Sequence, residues 1–317
     1  MSKTNVQIAK PAPVNQNKSN AKNINSFSLQ NDTLPVDKIQ PSRQTIIQPK
    51  LQPVHKVGND NLMDEYLNSI NIFQCDNASL VSVLNYLMNL KKLKGNHLAL
   101  LSNLKIDADG ALNVYAPLGI HDARGNGPLD YRENAGHDIG DINSKTKKPY
   151  TSREWWGVVT DNGKKEGNPV QQTNGVYKDF YISPTSFSDP FIKDKKNPQK
   201  YVDSNQIAYL VLTPELKKNK VSLGNLGYAI NTDNKMVSAF ILGDSKKKNS
   251  TEGSIKLAQN LGLDSNPRSK HAGTDNKIIK YFIFPNSNFD FIHSQDEVER
   301  KAKEHLFYFA WANSYKT

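Results

Sequence analysis

Six short apolar runs, each closed by turn residues, set the strongest constraint on how this chain can fold. They are EWWGVVT (154–160), VYKDFYIS (176–183), IAYLVLT (207–213), LGYAINT (226–232), MVSAFILG (236–243) and IIKYFIF (278–284). A strand with one wet face alternates apolar and polar residues, whereas a strand buried on both faces does not. Several of these runs are continuously apolar, so they predict strands in a closed barrel or in a sheet covered on both sides. The segment YAINTDNKMVSAF reads as a hairpin with Asp-Asn at its turn. The expected fold is mainly β, in the α+β class: a β-barrel-like domain of six or more strands.

Helical periodicity appears at the two sides of this region and in one insertion within it. Leu62, Met63, Tyr66, Leu67 and Ile70 share one helical face, and Leu80, Val83, Leu84, Leu87 and Met88 share another, with Asn77 or Ser79 as its cap and Gly95 at its end. The apolar piece HLALLSNLKI follows and is grouped with them as a small helical lead-in over 58–104. Residues 251–261 read as a helical insertion closed by Gly262. Near the end, Ser294 and Glu297 form a capping-box pattern, and Val298, Ala302, Leu306 and Phe309 line one face. The β-rich domain with its C-terminal helix is therefore expected over 105–317.

Residues 1–57 differ in kind. They are rich in Asn, Gln and Lys, carry prolines at 11, 13, 35, 41, 49 and 53, and contain one aromatic, Phe27. Such a tract buries too little apolar surface to offset its chain entropy, so it is expected to be disordered. Of the net charge of +10, this tract holds +6. A nucleic-acid module carries its basic patch on the folded part, so nucleic acid is not an expected partner. No window approaches about 18 uninterrupted apolar residues, so no membrane span is expected. The N-terminus lacks the apolar core of a Sec signal peptide. The readings left for the tract are a solvated tail or an address for secretion or contractile injection machinery, which would make the protein an exported, extracellular effector. The single cysteine, Cys75, excludes an internal disulfide and reads as a packed thiol.

Two acids draw attention to the stretch GDSKKKNSTEGSIKLA (243–258). Asp244 ends an apolar run, and Glu252 opens the expected helix. Glycoside cleavage needs two carboxyl groups in unlike settings, one protonated to donate to the leaving oxygen and one ionised to activate water. Desolvation by the apolar run would raise Asp244, and a helix start would favour ionised Glu252. That suits Asp244 as general acid and Glu252 as general base. A turn aspartate and a helix-start glutamate would look the same in sequence, so spacing leaves both readings open.

A resemblance favours the catalytic one. The segments IDADGALNVYAPLG (106–119), LDYRENAG (129–136), WWGVVTDNG (155–163), FYISPTSF (180–187), YVDSNQIAYLVLTP (201–214), GNLGYAIN (224–231), AFILGDSKKKNSTEGSIKLAQNLG (239–262) and KYFIFPNS (280–287) occur in a consistent order. Together they resemble the fungal-type chitosanases, glycoside hydrolase family 75, over residues 105–288. The resemblance implies that Asp244 and Glu252 are the catalytic pair. It also implies endo-hydrolysis of β-1,4-linked glucosamine with inversion, and no metal or organic cofactor. Asp109, Tyr115, Tyr131 and Asn134 fall in its N-terminal motifs as candidate substrate contacts, and Asp203, before the run IAYLVLT, resembles a family aspartate and is a further candidate. Lys246, Lys247 and Lys248 would each repel a polycation by up to about 1 kcal/mol if they faced the site, which points to a less cationic glycan or to a loop turned away.

Trp155 and Trp156 are adjacent on an expected strand, so one should be core and the other, here taken as Trp156, free to stack on a sugar. His121, His137 and His271 are too scattered for metal ligation and read as surface or loop residues. Ser183 and Ser186 have no triad partners, and G-x-S-x-G is absent. The alternative to an enzyme is a non-catalytic carbohydrate-binding or cell-surface module on the same fold.

Overall fold

The computed structural model describes residues 76–89, 97–287 and 289–314. The tract 1–57, the helix expected over Leu62–Ile70, Cys75 and Gly95 lie outside the described residues. Twelve named elements follow in order: α1 (Asn77–Asn89), β1 (Leu98–Asp107), β2 (Gly136–His137), β3 (Glu154–Trp155), β4 (Tyr209–Leu212), α2 (Pro214–Lys218), β5 (Leu226–Asn231), β6 (Val237–Ser245), β7 (Glu252–Ser254), α3 (Ile255–Asn260), β8 (Thr274–Phe284) and α4 (Gln295–Ser314).

Six strands close a barrel in the order β1-β7-β4-β6-β5-β8, and β2 with β3 forms a separate two-residue ladder. The barrel is mixed: β1 runs parallel to β7 and β4 parallel to β6, while the other neighbours are antiparallel. The expected hairpin is β5–β6, with Lys235 at positive φ in its turn.

The apolar runs are continuous because alternate residues enter two different cores. Leu210, Leu212, Ala229, Phe240, Leu242, Tyr281 and Ile283 belong to the cluster that fills the barrel. Tyr209, Val211, Tyr228, Ile241, Phe282 and Phe284 point the other way, into a cluster shared with α1 and α4. On α4, Val298, Ala302, Leu306 and Phe309 are all buried, as their spacing predicts. The Ser294 Oγ caps that helix by accepting from Glu297 N at 3.2 Å, and Glu297 reaches back to the His293 N–H. On α1 the cap is Asp76, whose Oδ1 accepts from Ser79 N at 2.8 Å, rather than Asn77 or Ser79.

Three expectations need correction. HLALLSNLKI is a barrel strand, not part of a helical lead-in, so the barrel begins at Leu98 rather than 105. Its Leu98, Leu100, Leu104 and Ile106 fall at even spacing and pack toward the barrel cluster. The run 176–183 is not a strand, because Asp179 takes a positive φ and only Tyr181 makes an isolated bridge. The run 154–160 is a strand only at Glu154–Trp155, since Trp156 N and Gly157 N both donate to Ala135 O and end the ladder.

Truncation in the helix-covered core leaves a cavity that the surrounding barrel cannot fill. Leu306→Ala should therefore lower unfolding stability by about 2–5 kcal/mol, measured by denaturant titration.

Candidate active site

The site begins where β1 ends, in Asp107-Ala108-Asp109-Gly110. Asp109 N donates to Asp107 Oδ1 at 3.2 Å, and Gly110 then turns the chain at φ 82°. A Cβ at Gly110 would stand 2.0 Å from Val202 O, so both conformation and space require glycine. Tyr209 fixes this end from β4: its hydroxyl lies 3.2 Å from Asp107 O and 2.9 Å from Asp109 O. Ser204 Oγ adds a 2.7 Å bond to Asp107 O.

Asp244 is aimed by an irregularity in β6. Leu210 pairs with Leu242, but Val211 pairs with Asp244, leaving Gly243 as the extra residue. A Cβ at Gly243 would stand 2.7 Å from Tyr209 Cβ and 2.8 Å from its ring at Cγ. Asp244 Oδ1 accepts from Ser186 N at 2.7 Å.

These geometries bring Asp107, Asp109 and Asp244 together, with one carboxylate oxygen of each within 4.8 Å of the others. Asp109 Oδ1 also takes bonds from the Tyr115 hydroxyl at 3.0 Å and Ser183 Oγ at 3.1 Å. Burial pushes all three carboxyls upward, and mutual repulsion adds to it. Asp107 goes well above its usual range, and Asp109 rises to about 7, against the pull of the two hydroxyls. Asp244 rises less freely because Ser186 and the Ser245 N–H favour its ionised form. The trio is therefore shifted as a group toward its protonated forms.

Glu252 is on strand β7, not at a helix start; helix α3 begins three residues later, with Ser254 as its cap. Its carboxylate accepts from Ser250 Oγ at 3.1 Å and pairs with Lys246. Lys246 thus turns inward, whereas Lys247 and Lys248 are exposed. Leu210 pairs with Gly253, so one further step in that antiparallel register sets Glu252 across from Val211. Val211 has Asp244 on its other side. The two acids therefore flank one residue on the same face, about 9–10 Å apart at Cα by two strand spacings. The Glu252 charge also raises Asp107 and Asp244.

Of the expected substrate contacts, Tyr115 is buried and committed to Asp109. Asp203 stands apart from the trio: burial alone lifts it to about 6, opposed by a 2.8 Å bond from Asn205 N. Tyr131, Asn134 and Trp156 form a neighbouring group. Asn134 Nδ2 bonds both oxygens of Asp130, and Asn134 O accepts from Trp156 Nε1 at 2.7 Å. Trp155 is 2 % exposed and Trp156 50 %, the division expected of the pair. Arg268 lies over the exposed Tyr131 ring at 4.8 Å. Asp130 links the two groups, since its charge raises both Tyr115 and Asp109.

A cleft of about 590 Å³ runs beside Asn134 and is lined by Arg132, His137, Asp141 and Tyr150. His137 is not a surface residue: it is buried and stacked on Tyr150 at 3.5 Å, while His121 and His271 are exposed. Sequence reasoning passed over Asp107 and considered Ser183 and Ser186 only as nucleophiles, not as donors to the acids. The signal for Asp107 was Asp-x-Asp-Gly closing an apolar run.

A comparison with protein-family models finds no match to this chain, and one with curated proteins finds no significant match.

Asp203 supplies a test of this electrostatic picture. Its folded-state carboxyl holds a proton to about pH 6, whereas the unfolded one releases it near the usual value. The folded state binds more protons between those points, so wild-type stability falls as pH rises through that window. Asp203→Asn should stabilise the protein by about 2 kcal/mol at pH 7, with the gain gone below about pH 4. Melting curves at pH 3.5, 5 and 7 measure this.

Proposed function

We propose that this protein is an endo-acting glycoside hydrolase for polysaccharides containing β-1,4-linked glucosamine, such as chitosan or a related cell-wall glycan. Asp244 acts as general acid and Glu252 as general base, with inversion at the anomeric carbon. The observation that carries this reading is the placement of the two acids on either side of Val211. Inversion needs carboxyls about 6.5–9.5 Å apart, leaving room for a water between base and sugar. Two strand spacings supply a separation of that order. The division of roles is supported by their settings: Asp244 is desolvated beside two other carboxyls, and Glu252 faces the Lys246 ammonium. The eight ordered segments that resemble family 75 support the substrate class.

The lysines oppose a cationic glycan less than the sequence implies. Lys246 is spent on Glu252, and only Lys247 and Lys248 project outward. The half-exposed Trp156 indole, fixed by its bond to Asn134 O, offers a face for a sugar ring.

Reducing-end release from chitosans of graded acetylation and from peptidoglycan tests the reading. Asp244→Asn and Glu252→Gln should each lower kcat by roughly 10²–10⁴-fold with unchanged melting temperature. No release by folded wild-type protein from any of these glycans would sink the enzyme and leave a carbohydrate-binding module. Trp156→Ala should raise KM for polymer by roughly 2- to 10-fold while leaving kcat nearly intact, as expected for loss of one aromatic contact.

A further inference from the structure

Asp109 is unsuited to the substrate contact expected of it. Both donors on its Oδ1 come from the protein, and its backbone carbonyl is taken by Tyr209. Its carboxyl is directed at Asp107 and Asp244. We propose that Asp109 is a positioning residue of the hydrolytic site, holding with Asp107 a shared proton against Asp244 so that Asp244 remains a competent acid at neutral pH. This rests on the assignment of Asp244 as the acid.

The argument is geometric. Three carboxylate oxygens within 4.8 Å cannot all carry charge in a desolvated setting, so at least one proton is distributed among them. The groups around Asp109 do not relieve this. Asp107 comes from β1, Tyr209 from β4 and Asp244 from β6, while Tyr115 and Asp130 come from the loops. Glu252 adds negative charge from β7, and its own cation, Lys246, is paired with it. None of the three acids has an ion-pair partner among the described residues. The Tyr115 and Ser183 hydroxyls hold the Asp109 carboxyl in place, so its position does not depend on substrate.

Asp109→Asn keeps the shape and an acceptor oxygen for both hydroxyls but removes one proton site and one charge. The alkaline limb of kcat/KM should then move down by about one pH unit, a loss of roughly tenfold at pH 7 with little change near pH 5. A merely structural Asp109 would lower kcat/KM equally at every pH, and that result overturns the proposal. Carboxyl ¹³C titration of aspartate-labelled full-length protein gives a readout free of turnover. In wild type the Asp244 signal should titrate together with those of Asp107 and Asp109, and Asp109→Asn should lower its midpoint. Three independent midpoints below about pH 5 overturn the proposal. Coupled titration without glycan release would instead remove the hydrolase assignment and leave the proton sharing standing.

Discussion

Tyr209 is the point on which the site depends. Its ring occupies the space a side chain at residue 243 would need, so β6 must carry glycine there. Its hydroxyl sits on the carbonyls of Asp107 and Asp109, which fixes the end of β1. One fully buried side chain on β4 therefore sets both the extra residue that aims Asp244 and the turn that aims Asp109. The loops over this face complete the site by contributing Tyr115, Ser183 and Ser186, each bonded to one of the acids.

Much of the barrel was legible because burial on two faces leaves a simple mark, an unbroken apolar run. β4, β5, β6 and β8 all carry it. β1 was less legible, since Ser102 and Asn103 break its apolar pattern and a short run of leucines is as compatible with a helix as with a strand. β7 was illegible for a different reason. It has three residues, and what makes it a strand is its place between β1 and β4. That place, not local propensity, decides that Glu252 lies on a strand, where its charge raises Asp107 and Asp244, instead of opening a helix.

The site residues divide in the same way. Asp244 and Glu252 stood out because they bracket a distinctive loop, and Trp156 because a tandem pair must split between core and surface. Asp107 was passed over although Asp109 was noticed. The reason is that its importance comes from residue 244, which is far away in sequence and brought near only by barrel closure. Tyr115 was legible as a residue of interest but not as a donor to Asp109, since that bond depends on how the chain returns after Gly110.

The arrangement has a stability cost that explains its form. Desolvated carboxyls without a cation oppose folding as pH rises through their titration, and Asp107, Asp109, Asp203 and Asp244 are all lifted by burial. Elsewhere in the same loops, acids are neutralised by arginine, as in Asp138 with Arg153 and Asp141 with Arg132. The chain thus pairs those loop acids with cations and leaves the trio and Asp203 without an ion-pair partner among the described residues. A guanidinium beside a carboxyl holds it ionised, so carboxyls without one stay raised by burial. Asp244 is therefore raised with two other carboxyls beside it, whereas Glu252 is paired with Lys246, so the two acids sit in opposite electrostatic settings.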